Sequence, residues 1–114
     1  MTLPDAVYIG PVRWRISDSQ ADWNTYAQAG GYRLGVDIVG ATLNRQALIL
    51  IDPHEDPQVQ RVTLLHEILH AIAWTVGTYA MGEMSQERWT NTITPTLLDT
   101  IRCNAELFAW LVEI

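Results

Sequence analysis

A chain of 114 residues, 48% hydrophobic and 18% charged, has the makeup of one packed domain and leaves little room for a second. Thirteen acidic against seven basic side chains give a net charge of -6. The basic residues are scattered, as in Arg13, Arg33, Arg61 and Arg88, so no cationic stripe is available for phosphates: nucleic acid is excluded as a direct ligand and anionic membranes are disfavoured. The single cysteine, Cys103, excludes an internal disulfide and is expected to be a buried packing residue. With no signal-peptide pattern and no apolar run near the ~20 residues of a membrane span, the expected setting is cytoplasmic.

Residues 6–9 and 12–16 are rich in β-branched and aromatic types, and Gly10-Pro11 between them predicts a hairpin turn. In the second strand Val12, Trp14 and Ile16 alternate with Arg13 and Arg15, which implies one buried and one wet face. Ser17, Asp18 and Ser19 offer caps for a short helix carrying Trp23 and Tyr26 and ending at Gly30-Gly31. A third strand is expected over 36–43, interrupted by Gly40, followed by a turn at Asn44-Arg45-Gln46. Residues 47–51 are continuously apolar, the pattern of a strand covered on both faces. A loop over 52–57 leads into a helix over 57–76, with Pro57 in its first turn and Gly77 as its stop. A second helix starts near Ser85 and carries Trp89, Ile93, Leu97 and Ile101. Pro95 within it predicts either a kink or a new helix capped by Thr94. The last turns, 105–114, are apolar at Leu107, Trp110, Leu111 and Ile114. Strands before helices predict a single α+β domain over 1–114, with an antiparallel or mixed sheet of about four strands.

The chemistry lies in His66-Glu67-Ile68-Leu69-His70, an H-E-x-x-H pattern. On a helix, positions i and i+4 share a face roughly 6 Å apart, so both imidazoles reach one metal ion. Glu67 is turned about 100° from His66, which places its carboxylate beside a metal-bound water instead of on the metal. Zinc held by two histidines and a carboxylate keeps a position for water and brings that water's pKa toward ~7. Glu67 is then the general base. The surrounding segment (Val62, Leu64, Leu65, Ile68, Leu69, Ile72, Ala73) otherwise reads as buried, where unpaired charge is costly and a metal removes the cost. The competing reading is a polar helix face of His66, Glu67 and His70 that meets solvent.

The third ligand must come from elsewhere. Glu87 is favoured because it falls in the first turn after the Ser85 cap, at a helix start able to pack beside the histidine helix. Glu83, Asp99 and His54 are the alternatives, and either glutamate could equally be a solvated charge at a helix start.

Residues 63–71 look like the metal helix of ImmA/IrrE-type metallopeptidases and of the small gluzincin-like peptidases found in bacteria and prophages. Residues 87–98 resemble that family's downstream glutamate helix, where the ligand stands four residues before an Asn and ahead of a Leu-Leu pair. Thr90 stands where the family usually has Ala, and Pro95 interrupts the helix. The resemblance implies His66, His70 and Glu87 as zinc ligands, Glu67 as catalytic base, and a cytoplasmic protein substrate. It further implies a peptide bound extended along a sheet edge, with 47–51 or its neighbour 36–43 as the candidate edge. The chain is short after Glu87, so the cleft is expected to be shallow, or completed by a partner, a second copy of the chain or the C-terminal segment. Trp23, with Tyr26 and Tyr32, is a candidate groove lining, although the tryptophans as a group are expected in the core. Three functions compete: a zinc peptidase, favoured by an intact Glu67; a metal-binding regulatory or interaction module with little hydrolytic activity, favoured by the short C-terminal half; and, behind these, a hydrolase of a non-peptide amide.

Overall fold

The computed structural model describes residues 2–27, 39–78 and 86–113. Its first hairpin joins β1 (Ala6–Ile9) to β2 (Val12–Ser17), antiparallel with Val7 opposite Trp14 and Ile9 opposite Val12. Gly10, first of the two turn residues, has φ of 57°, a left-handed conformation that favours glycine. After β2, Ser19 caps α1 (Gln20–Asp22) by accepting a bond from the Asp22 amide. The chain continues through a wider turn at Trp23–Ala27. The predicted stop at Gly30-Gly31 lies outside the described residues, as does Tyr32.

β3 (Gly40–Leu43) begins at the glycine that was expected to interrupt a longer strand; residues 36–38 lie outside the described set. A tight turn at Asn44–Gln46 ends in Ala47, whose φ of 49° takes it out of the predicted strand, and β4 is Leu48–Ile51. The sheet order is β1-β2-β4-β3, with β2 and β4 parallel and the other pairs antiparallel, so the sheet is mixed. The fold is α+β, as the strand-then-helix order implied.

Every residue of β4 is buried. Ile49 and Ile51 join Val7, Ile9, Trp14 and Ile16 in the core beneath the helices. Leu48 and Leu50 point to the opposite face, where Trp23 covers them and donates its indole N–H to the Ile51 carbonyl at 3.0 Å. Trp23 is therefore a packing residue, not the groove lining proposed for it. β2 follows its alternation at Arg13, Trp14, Arg15 and Ile16, while Val12 at its start is exposed.

α2 (Pro57–Thr75) opens with Asp56 accepting the Gln58 amide and Pro57 in the first turn, and gives way to Gly77 at φ 79°. Leu64, Ile68, Ala71 and Ile72 pack on the sheet. α3 (Gln86–Cys103) runs unbroken through Pro95: the Thr94 hydroxyl bonds back to the Thr90 carbonyl and caps no new helix. Ser85, the expected cap, is outside the described residues.

The i+4 series Trp89, Ile93, Leu97, Ile101 drifts about 40° per step on a helix, so it does not remain buried. Ile93 is buried and Leu97 packs on the core, but Trp89 and Ile101 are exposed, and Thr100 and Asn104 continue the buried row. Cys103, expected inside, is exposed with Sγ 3.8 Å from Asp99 Oδ1. It stands one residue, about 100° of rotation, from Asn104 on that row. α4 (Ala105–Leu111) seats Leu107 and Trp110 in the core and ties to α2 through Arg61, whose Nε–H meets the Trp110 carbonyl at 3.0 Å. No helix of the described residues is long and apolar enough to cross a membrane.

Candidate metal centre

α2 brings the two histidines together. His66 Nε2 and His70 Nε2 lie 3.0 Å apart, with ring centroids separated by 4.7 Å, and both rings are exposed. Two nitrogens bound to one tetrahedral zinc at about 2.05 Å would stand about 3.3 Å apart, so the imidazoles already have close to the separation that shared coordination requires. Without a metal, the same distance suits a hydrogen bond between one protonated and one unprotonated nitrogen. As two members of a ligand set, these residues fit zinc.

Glu67 behaves differently from its neighbours. At 7% exposure it is buried, so the three residues do not form a polar face that simply meets solvent. Its carboxylate is held by β3: the Thr42 hydroxyl is 2.6 Å from Glu67 Oε2 and 3.1 Å from the Glu67 carbonyl, and its single proton serves the nearer, charged acceptor. Gly40, two residues earlier on the same face, lets the strand approach this closely. A β-carbon there would overlap the Thr63 methyl and press on Glu67, 3.3 Å from its Cγ and 3.4 Å from Oε1. A cavity of about 330 Å³ opens beside the site, lined by Val39, Gly40, Val62, Thr63, His66 and Glu67.

No family profile matches this chain, and no curated protein or solved structure matches it.

Of the remaining expected ligands, those among the described residues are not gathered here. Among the described residues no group of three His, Cys, Asp or Glu side chains is placed to hold a metal. Glu87 is in the first turn of α3 as expected, and is exposed. His54 sits in the exposed loop after β4, where its amide bonds to Asp52 Oδ1 at 2.8 Å. Asp99 faces solvent on α3, and Glu83 lies outside the described residues. The C-terminal segment, one expected completion of the cleft, is anchored on α2 at Arg61. The described lining of the cavity comes instead from α2 and from Val39 and Gly40.

The strand order decides between the two expected binding edges. Of residues 47–51, Leu48–Ile51 form the inner strand β4, flanked by β2 and β3, and among the described residues it is β3, within the alternative 36–43, that lies at the edge beside α2. The Asp52 amide bonds to the Val39 carbonyl at 3.0 Å, which fixes the alternation of the antiparallel ladder. Val39, Ala41 and Leu43 turn their polar backbone groups toward β4, whereas Gly40 and Thr42 turn theirs outward. Thr42 was not singled out in the sequence, and nothing in its surroundings marks it. Gly40 carried a signal, because an isolated glycine in an apolar strand often marks a close backbone approach.

Proposed function

We propose that the chain is a zinc-dependent peptidase of the H-E-x-x-H type, related to the ImmA/IrrE-type enzymes and acting in the cytoplasm. The observation that carries this reading is the pairing of two exposed, converging imidazoles with a buried carboxylate held beside them by the edge strand. Zinc, when bound, supplies a water of pKa near ~7 and polarises the carbonyl under attack. His66 and His70 would hold the metal through their converging Nε2 atoms. Glu67 accepts the proton of the attacking water and delivers it to the leaving nitrogen. Thr42 keeps one carboxylate oxygen engaged, which fixes the orientation of the other. Gly40 and Thr42 offer outward N–H and C=O groups to an extended peptide, which would lie along β3 as an added strand. Glu87 is proposed as the third ligand, with Glu83 as the alternative.

The test is a comparison of variants of the full chain. Glu67→Gln should bind one zinc with wild-type affinity and lose hydrolysis of the peptide that the wild type cleaves. His66→Ala and His70→Ala should lose the metal. Hydrolysis by Glu67→Gln at the wild-type rate would remove the base. Zinc binding without any hydrolysis by the wild type would favour the metal-binding interaction module instead.

A further inference from the structure

The outer side of α2 is not built like a solvated helix face. Val59, Val62, His66, His70 and Trp74 follow one another at steps of three or four residues, so they form one stripe along the helix, and all five are exposed. Val62 is 72% exposed, and Leu65 beside the stripe is 40% exposed. Apart from the histidines, α2 has two ionisable side chains, and neither is on the stripe. Arg61 is bonded to the Trp110 carbonyl, and Glu67 is buried against β3. A chain of net charge -6 therefore presents a face without a charged residue over about 22 Å of helix, from Val59 to Trp74. Exposed apolar side chains in a surface cleared of charge are the mark of an interface.

The histidines at the centre of the stripe say which partner fits. Zinc in a closed site takes four ligands, and His66 and His70 offer two nitrogens, 3.0 Å apart on exposed rings. A second copy of this chain, turned about a two-fold axis through the ion, brings the same two nitrogens from the opposite side and completes the tetrahedron. The same axis lays stripe on stripe, so that Val62, Leu65 and their apolar neighbours are covered. Two copies of net charge -6 repel each other elsewhere, and a face cleared of charge is where they can approach.

We propose that His66 and His70 of two copies hold one shared zinc, and that this bridged pair is a closed, resting form of the protein. Four imidazoles on the ion leave no position for water, whereas a single copy with a carboxylate third ligand keeps one. The proposal rests on the zinc ligation proposed above and adds regulation of that site: scarce metal favours the shared ion, and abundant metal gives each copy its own. The test carries the metal-free full chain through increasing zinc, following its mass by sedimentation and the ligands of the metal by X-ray absorption. The mass should double at one zinc per two chains, with four imidazoles on the ion, and return to that of one copy at large excess. His66→Ala should abolish the pair. Val62→Lys should still bind zinc as a single copy but associate at least about tenfold more weakly, because the interface then encloses two unpaired charges. A one-copy mass at every ratio would leave the stripe to another partner and overturn the bridge. So would doubling without zinc, doubling that survives in His66→Ala, or association of Val62→Lys equal to that of the wild type. Zinc bound by single copies in those cases would leave the metal reading standing, whereas no zinc bound at any ratio would overturn both.

Discussion

The two edges of the sheet are treated in opposite ways. At β1, Tyr8 turns its backbone outward, and a single side chain takes both groups. The Tyr8 amide donates to Asn104 Oδ1 at 2.8 Å, and Asn104 Nδ2 donates to the Tyr8 carbonyl at 2.7 Å. Asn104 sits at the break between α3 and α4, so the helical layer supplies an imitation of a neighbouring strand and closes that edge. At β3, no strand among the described residues pairs on the outer side, and the face toward α2 carries only a glycine and a threonine engaged with Glu67. One edge is built to refuse a strand, and the other is thinned to sit against α2, the histidine helix. That asymmetry supports β3 as the edge a peptide would use.

The comparison breaks most severely at Gly40. Gly40→Val must push β3 off α2, because its first side-chain atom meets the Thr63 methyl and the Glu67 side chain. Overpacking of this kind costs on the order of 1–3 kcal/mol, with a branched side chain at the upper end. Denaturant unfolding should show that loss, and a wild-type midpoint in Gly40→Val would mean that the strand and helix are not in close contact. Next comes Asn104→Leu, which leaves two backbone groups of Tyr8 unmet and also removes a 2.7 Å bond to the Thr100 carbonyl. About 2 kcal/mol is expected, within the range for an unsatisfied buried group. If Asn104 closes the edge, the variant should also self-associate with rising concentration in sedimentation, whereas a strictly monomeric variant would make the amide a packing element only.

Thr42→Val should cost less, about 1–2 kcal/mol, since the shape is kept and one hydroxyl is lost from a carboxylate. Zinc affinity should be unchanged, and Thr42→Ser should restore most of the lost stability. A Ser variant no better than Val would point to the methyl group instead of the hydroxyl.

The elements around this contrast were largely legible in the chain, while the two edges themselves were not, for physical reasons. The histidine helix α2 could be bounded at both ends because Pro57 and Gly77 act locally, through a fixed φ and a left-handed stop. The unbroken apolar run of β4 correctly implied burial on both faces, and that burial was itself an argument against β4 as the binding edge. Which strand lies at the edge depends on the parallel pairing of β2 with β4, a long-range contact that local patterning does not encode. Asn104 was invisible for the same reason: its partner Tyr8 is 96 residues away. The histidine pair and Glu67 were readable because their geometry is internal to one helix. The proposed third ligand, which would come from another element, was not fixed by any pattern within α2.

The smallest effect lies on the face of β2 opposite to Trp14 and Ile16, which pack in the core with α2. Arg15 NH1 contacts Asp22 Oδ2 at 3.0 Å, and the Ser17 hydroxyl donates to the same carboxylate, tying α1 to β2. The Arg15 guanidinium, followed by the Ser17 hydroxyl, holds the Asp22 carboxyl below its usual value. A carboxyl lowered in the folded state stabilises most where both states are ionised, above the ordinary carboxylate pKa of ~3.9. As pH falls below that value the unfolded chain takes up the proton first, and the contribution is lost as pH passes through the lowered folded value. Arg15 stays charged throughout this window, since Asp22 raises its already high pKa further. The pair is well exposed, so its worth should stay under about 1 kcal/mol and diminish with salt. Asp22→Asn should therefore lower the melting temperature slightly and by a constant amount between about pH 5 and 8, and the gap from wild type should close as pH drops below ~4. A gap that widens on acidification would mean that Asp22 favours the folded state through its protonated form, contrary to the contacts it makes with Arg15 and Ser17.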